Sequence, residues 1–181
     1  TGTNAFGDLA YGQRYQGANY TITGVAAVLL NASIDGTEED MAAVVYDANG
    51  GNIGNELARV GFSTADLPDL MAEEDFELKQ FTFSSPVSSS DFLCVIEVPE
   101  ISTSEDGSQL VGNLAFVGST EIDCASGEMS YSYSMVSEAG DYGWVTISEA
   151  WGSVDLDVMV FPIAEGAVGL TDAELNSMSY V

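Results

Sequence analysis

Apolar and polar residues alternate with a period of two along most of the chain. The pattern is clearest over residues 20–30, 42–46, 76–83, 92–98, 131–135, 144–147 and 156–161, and period two is that of a pleated strand whose side chains point alternately to opposite faces. Shorter stretches at 10–16, 56–62 and 111–117 read the same way. Gly, Asn, Asp, Ser and Pro clusters at 47–52, 84–86, 102–107 and 138–141 separate them, so the spacing predicts about ten strands. Helical signals are weak: residues 63–75 offer Ser63 or Asp66 as a cap, but Pro68 and the short length leave a loop with one turn. The expected fold is all-β, a two-sheet antiparallel β-sandwich of jelly-roll-like form. On the strand at 130–135, Tyr131, Tyr133 and Met135 are expected to face inward and Ser130, Ser132 and Ser134 outward.

Composition supports an ordered core. The chain of 181 residues is 46% hydrophobic with eight Tyr, eight Phe and two Trp, unlike disordered acidic sequences, which are poor in aromatics. A chain of this length buries roughly 70% of its unfolded surface as one domain. The expected organisation is an N-terminal extension at 1–9, a sandwich domain at 10–163 and a C-terminal tail or linker at 164–181. No apolar run approaches the ~20 residues of a membrane-spanning helix.

Charge narrows the function. Arg14, Arg59 and Lys79 stand against 29 carboxylates, a formal charge of −26, and there is no histidine. Phosphate backbones and anionic lipid surfaces are bound by displacing counterions with Lys and Arg, so nucleic acid is excluded as a partner. Without His, the Ser-His-Asp and Cys-His mechanisms and His-based metal sites are excluded as well. Self-repulsion of this size is screened over roughly 8 Å at physiological salt, which suits a saline or calcium-rich extracellular medium.

The candidate chemistry is correspondingly limited. Calcium is the candidate cofactor, because it takes oxygen ligands from carboxylates and carbonyls. Its first candidate loop carries Asp35, Glu38, Glu39 and Asp40, and its second carries Asp47, Asn49 and Asn52 around Gly50 and Gly51. Each has a plainer reading, as a solvated acidic turn and as an Asn-Gly hairpin turn. Cys94 and Cys124, thirty residues apart, either pair or remain buried thiols. Trp144, Trp151 and Tyr142, with Tyr131 and Tyr133, either form an aromatic platform for a sugar ring or fill the core. At the ends, Phe6, Leu9, Leu170, Leu175 and Tyr180 are apolar residues in polar surroundings, suited to docking on a second copy by strand addition. Glycosidase chemistry needs two carboxylates about 5 to 9 Å apart in a cleft, and 29 carboxylates do not single out a pair. The chain is read as not an enzyme.

Several segments together resemble a known kind of domain: residues 12–15 (Gly-Gln-Arg-Tyr), 21–25, 44–47 with the Gly/Asn-rich turn and 54–57, 81–83, 92–96, Ala150-Trp151-Gly152, and 155–162. In that order they resemble the β-sandwich domains of secreted Bacteroidetes proteins that stand before a type IX secretion sorting domain, and residues 170–179 are similar to the linker preceding it. The resemblance implies export across the outer membrane and a place at, or release from, the cell surface; it brings no catalytic residue. The expected function is therefore a secreted, non-enzymatic cell-surface protein for adhesion or extracellular assembly, self-associating or meeting other surface components. The alternative is a carbohydrate-binding module of a larger secreted protein, with glycans as its partners.

Overall fold

The structure, a computed structural model, describes residues 8–33, 38, 40–67, 78–98, 102–103, 110–111, 113–117, 119–120, 129–137, 139–150, 152 and 157–165. Its strands are β1 (Ala10–Ser33), β2 (Asp40–Asp47), β3 (Glu56–Ser63), β4 (Leu78–Glu97), β5 (Ser102–Thr103), β6 (Leu110–Val111), β7 (Asn113–Val117), β8 (Ser119–Thr120), β9 (Ser130–Met135), β10 (Tyr142–Thr146), β11 (Asp157–Val158) and β12 (Val160–Glu165), with a short helix α1 (Ile147–Ala150). All pairings are antiparallel. The all-β antiparallel sandwich expected from the alternation is the fold observed. No helix among the described residues is long and apolar enough to cross a membrane.

Two strands are longer than the sequence pattern predicts. Residues 10–16 and 20–30 join in the 24-residue β1, and residues 78–83 and 92–97 join in the 20-residue β4. The chain does not turn back between them: Gln16 lies opposite Asp91, Tyr20 opposite Ser89 and Ile22 opposite Val87, and residues 84–86, which read as a turn, fall where the register shifts. The register shifts twice, between Gln16 and Tyr20 and between Ile22 and Gly24. Extra residues opposite a shorter partner bend a strand and sharpen its twist, and Pro86, which cannot donate to a ladder, falls in the second of these irregularities. Both strands therefore bend together and run through both layers.

The first layer has the order β10-β9-β1-β4-β2-β3, while β12 and β7 pair with the later part of β1. Contacts across the fold close the sandwich. Phe62 of β3 stacks on Phe81 of β4 with ring centres 4.2 Å apart, although β3 pairs with β2. The Tyr15 hydroxyl, on the early part of β1, donates to the Val160 carbonyl of β12 at 2.8 Å. Between the layers lie Tyr11, Ile22, Val25, Leu29, Val45, Phe81, Phe92, Cys94 and Ile96, all buried. Each large apolar side chain of this kind contributes roughly 1.5–3 kcal/mol on burial.

Backbone approach is closest where β1 and β4 bend. A Cβ on Gly24 would collide with the Phe81 carbonyl oxygen, an approach closer than any side chain tolerates. The loop after β3 forms one 3-10 turn, capped as its sequence indicates: Ala65 N donates to Ser63 Oγ and Ser63 N to Asp66 Oδ2.

The expected orientation of β9 holds only in part. Ser130, Ser132 and Ser134, expected outward, are buried on the face that also carries Tyr11 and Gln13; on the opposite face Tyr131 is buried in a second apolar cluster with Ala10, Val44, Leu93 and Val95, Tyr133 is half-buried and Met135 is 49% exposed. Small hydroxyl side chains allow α1 and β11 to approach closely, and their polar atoms find partners. Ser132 and Ser134 hydrogen-bond each other, Ser130 donates to Gln13 Oε1, and Val158 N donates to the same Gln13 oxygen. A buried polar row costs little when it is hydrogen-bonded. The tyrosines consequently point to the opposite face of the sheet, where the candidate site lies.

Candidate functional site

The outer face of the first layer is defined by its registers. One cross-strand row runs Trp144, Tyr133, Ala10, Glu97, Ala42, Gly61 from β10 to β3. The next row on the same face runs Thr146, Tyr131, Gly12, Val95, Val44, Arg59. Large aromatics thus stand over β9 and β10, while Ala10, Ala42, Val44 and Val95 over β1, β4 and β2 are buried in a second apolar cluster against which Tyr46, Tyr133 and Trp144 pack. Tyr46, two residues beyond Val44 on β2, rises from the far side of that cluster.

The two sides meet. Tyr46 and Trp144 rings are 5.6 Å apart edge to face, and Tyr133 and Trp144 rings 5.2 Å apart. Tyr142 stacks on the other side of Tyr133 at 5.8 Å. Since β9, β1 and β4 lie between β10 and β2, a flat sheet would separate their backbones by roughly 19 Å. The face must be concave for rings rooted on those strands to touch. Below the arch lies a cleft of about 540 Å³, lined by Tyr46, Tyr133, Trp144, Leu9, Ala10, Ala42 and Val98 with Asp40, Arg59 and Glu97.

Its polar wall is organised by the single base among these residues. Arg59 Nη1 and Nη2 donate to the two Glu97 oxygens at 2.6 and 2.7 Å, and Nε donates to Glu56 at 3.0 Å. The Tyr46 hydroxyl donates to Glu97 Oε1 at 2.9 Å. Hydrogen bonding to Glu97 raises the Arg59 pKa, and burial, followed by the bond to Glu97, raises that of the Tyr46 phenol. The aromatic arch and the ionic cluster are therefore one unit, joined through Tyr46. An apolar ring surface beside fixed hydrogen-bonding groups is the arrangement that suits a sugar, whose ring faces are apolar and whose rim is hydroxylated.

The other sequence candidates fall elsewhere. Trp144 lines the cleft, Tyr142 buttresses Tyr133 beside it, and Trp151 lies outside the described residues. Of the first acidic loop, Glu38 is exposed and Asp40 lines the cleft, while Asp35 and Glu39 lie outside the described residues. Around the second, the backbone of Asp47 bonds to Asn55 and Gly54, and Asn49 and Asn52 are exposed. That turn is tied down by an ion pair: Arg14 Nε and Nη2 each donate to Asp91 at 2.8 Å, and Gly50 N donates to Asp91 Oδ2 at 2.9 Å. These bonds, Arg14 foremost, hold the Asp91 pKa down at about 2. Among the described residues no group of three His, Cys, Asp or Glu side chains is placed to hold a metal ion.

Cys94 is a free thiol wholly buried between the layers, its pKa pushed up by burial, and Cys124 lies outside the described residues. Of the apolar end residues, Phe6, Leu170, Leu175 and Tyr180 also lie outside them. Leu9 sits in the sheet, with its N–H donating to Tyr133 O and its carbonyl accepting from Val98 N. Tyr46, Arg59 and Glu97 did not stand out in the sequence as site residues. The signal that marks them is scarcity, since a chain with three bases that places one beside a charge ending an apolar strand is fixing a specific pair.

The fold and this face together define an antiparallel β-sandwich with a concave, aromatic-walled cleft of ligand size. No protein-family model, curated protein or solved structure matches the chain.

Proposed function

We propose that this chain is a non-enzymatic binding domain that holds a glycan chain in the concave cleft and serves adhesion at the cell surface. The observation that carries the reading is the arch of Tyr46, Tyr133 and Trp144 over a cleft whose wall is the Arg59–Glu97 pair. Stacking on such rings recognises sugars through their apolar faces, and it tolerates a range of them because it does not depend on one hydrogen-bond pattern. Both Glu97 oxygens are engaged by Arg59 and one of them also by Tyr46. Neither is placed to protonate a glycosidic oxygen, which favours binding over hydrolysis. The acidic surface and the resemblance to secreted Bacteroidetes sandwich domains support an extracellular setting.

Affinity electrophoresis through gels containing cellulose derivatives, β-1,4-mannan, xylan and mixed-linkage glucan tests the proposal. At least one polymer is expected to retard the protein, and Trp144→Ala is expected to abolish that retardation with circular dichroism unchanged. Absence of retardation across the panel, or full retardation of a folded Trp144→Ala variant, would overturn it.

A further inference from the structure

We infer that the cleft takes uncharged glycans and rejects carboxylated ones, with Glu97 as the specificity-determining residue. The inference rests on the glycan-binding reading and deepens it. A glycan bearing carboxylates is recognised by bases free to receive it, usually an Arg fork. Here each of the three bases already has an acceptor. Arg14 is bound to Asp91 with its side chain 10% exposed, and Lys79 Nζ donates to the Asp66 carbonyl at 2.6 Å. Arg59 stands in the cleft, yet Glu97 takes one edge of its guanidinium and Glu56 another.

One cation therefore faces three carboxylates at this site, because Asp40 also lines the cleft. An incoming carboxylate gains nothing from Arg59 unless it displaces Glu97. Glu97 would then keep the Tyr46 hydroxyl as its described donor, close to Asp40 and the newcomer. The Arg59 and Glu97 side chains are 40% and 30% exposed and Asp40 is exposed, so this repulsion acts partly through solvent and is reduced by salt. The hydroxyls and ring faces of a neutral sugar meet no such opposition. The arrangement is specificity by an unfavourable element, in which the pair that shapes the wall also repels the wrong ligand.

The test compares β-1,4-glucan and β-1,4-mannan with the same polymers after selective oxidation of the C6 hydroxymethyl to carboxylate. The neutral member is expected to bind on the order of tenfold more tightly than its oxidised partner at low salt. Raising the salt should recover binding of the oxidised polymer while the neutral one is little affected. Glu97→Gln should narrow the neutral-to-oxidised ratio several-fold, which the overall charge of the chain, almost unchanged by one substitution, would not do.

Equal binding of both members by the wild-type protein would overturn the inference and leave glycan binding standing. A ratio that ignores salt, or that survives Glu97→Gln in a folded variant, would overturn it too. Should Glu97→Gln not fold, Asp40→Asn carries the same comparison, with the same expected narrowing and the same contrary result. Failure of every neutral polymer to bind would remove the glycan reading itself and this inference with it.

Discussion

Tyr46 and Trp144 touch edge to face, ring centres 5.6 Å apart, although their strands are separated by three others. Such a contact needs a sheet curled toward the rings, and it makes the Tyr46 side chain a strut with two ends. Its ring braces Trp144 and its hydroxyl donates to Glu97.

The two ends can be separated by substitution. Tyr46→Phe keeps the ring and removes the hydrogen bond, so stability should fall by about 1 kcal/mol while glycan retention persists. Tyr46→Ala also removes the brace and should weaken retention markedly, as Trp144 loses its edge-to-face partner. Urea unfolding and affinity electrophoresis on both variants check this. Equal loss of retention in Tyr46→Phe would show that the hydroxyl, and not the ring, matters to the cleft.

Much of the fold was legible because alternation is a local signal. Residues 42–46 read as a strand and form one, with residues 42–45 buried on both faces. The bends of β1 and β4 were not legible, since Ser84 and Pro86 signal an interruption in the sequence, and whether the chain turns back or bulges is decided by the partner strand. The burial of the β9 serines has a similar cause. Hydrophobicity ranks tyrosine as the inward residue, but Ser130 and Ser132 are the ones small enough to fit beneath α1 and β11 and find hydrogen-bond partners there. Of the site, Trp144 was visible as an aromatic in a strand. The Arg59–Glu97 pair was not, because its members are 38 residues apart and meet through β2 lying between β3 and β4.

The Arg14–Asp91 pair sets an acid dependence. The carboxyl titrates at about 2 in the folded chain against an ordinary value of 3.8. A depressed folded pKa gives stability that is complete above the unfolded value and lost as pH falls through the folded one. The window here is from about pH 4 down to about pH 2, and the contribution is about 2 kcal/mol. Asp91→Asn should therefore be less stable than wild type by roughly that amount at pH 6, and the two curves should converge as the pH approaches 2. Denaturant titrations at several pH values check it, and a gap unchanged at pH 2 would mean that the ion pair is not its source.

Cys94 is wholly buried, and its raised pKa keeps it a thiol at neutral and moderately alkaline pH. The thiolate is the reactive form, so Cys94 should resist a disulfide-exchange reagent in the native protein and react at once in denaturant. Peptide mapping of the labelled products separates it from Cys124. Rapid labelling of Cys94 at native pH would indicate that the interlayer core opens readily.

The close approach of β1 and β4 makes Gly24 the most sensitive to substitution among the described glycines. An added Cβ collides with the Phe81 carbonyl oxygen and lies 3.2 Å from Thr82 Cα, and both belong to main chain that cannot rotate away. The neighbouring register already departs from regularity between Ile22 and Gly24, so any shift must move two paired strands together. Gly24→Ala should cost about 3 kcal/mol, at the upper end of the usual penalty for overpacking. Gly50 provides the comparison, since nothing lies within 4 Å of its added Cβ and the obstacle is its positive φ of 67°. Gly50→Ala should cost about 1–2 kcal/mol through backbone strain alone. Urea midpoints of the two variants give the order directly. A larger loss in Gly50→Ala than in Gly24→Ala would mean that the bend in β1 has slack, and the shared curvature of β1 and β4 would then have to be imposed from elsewhere in the sheet.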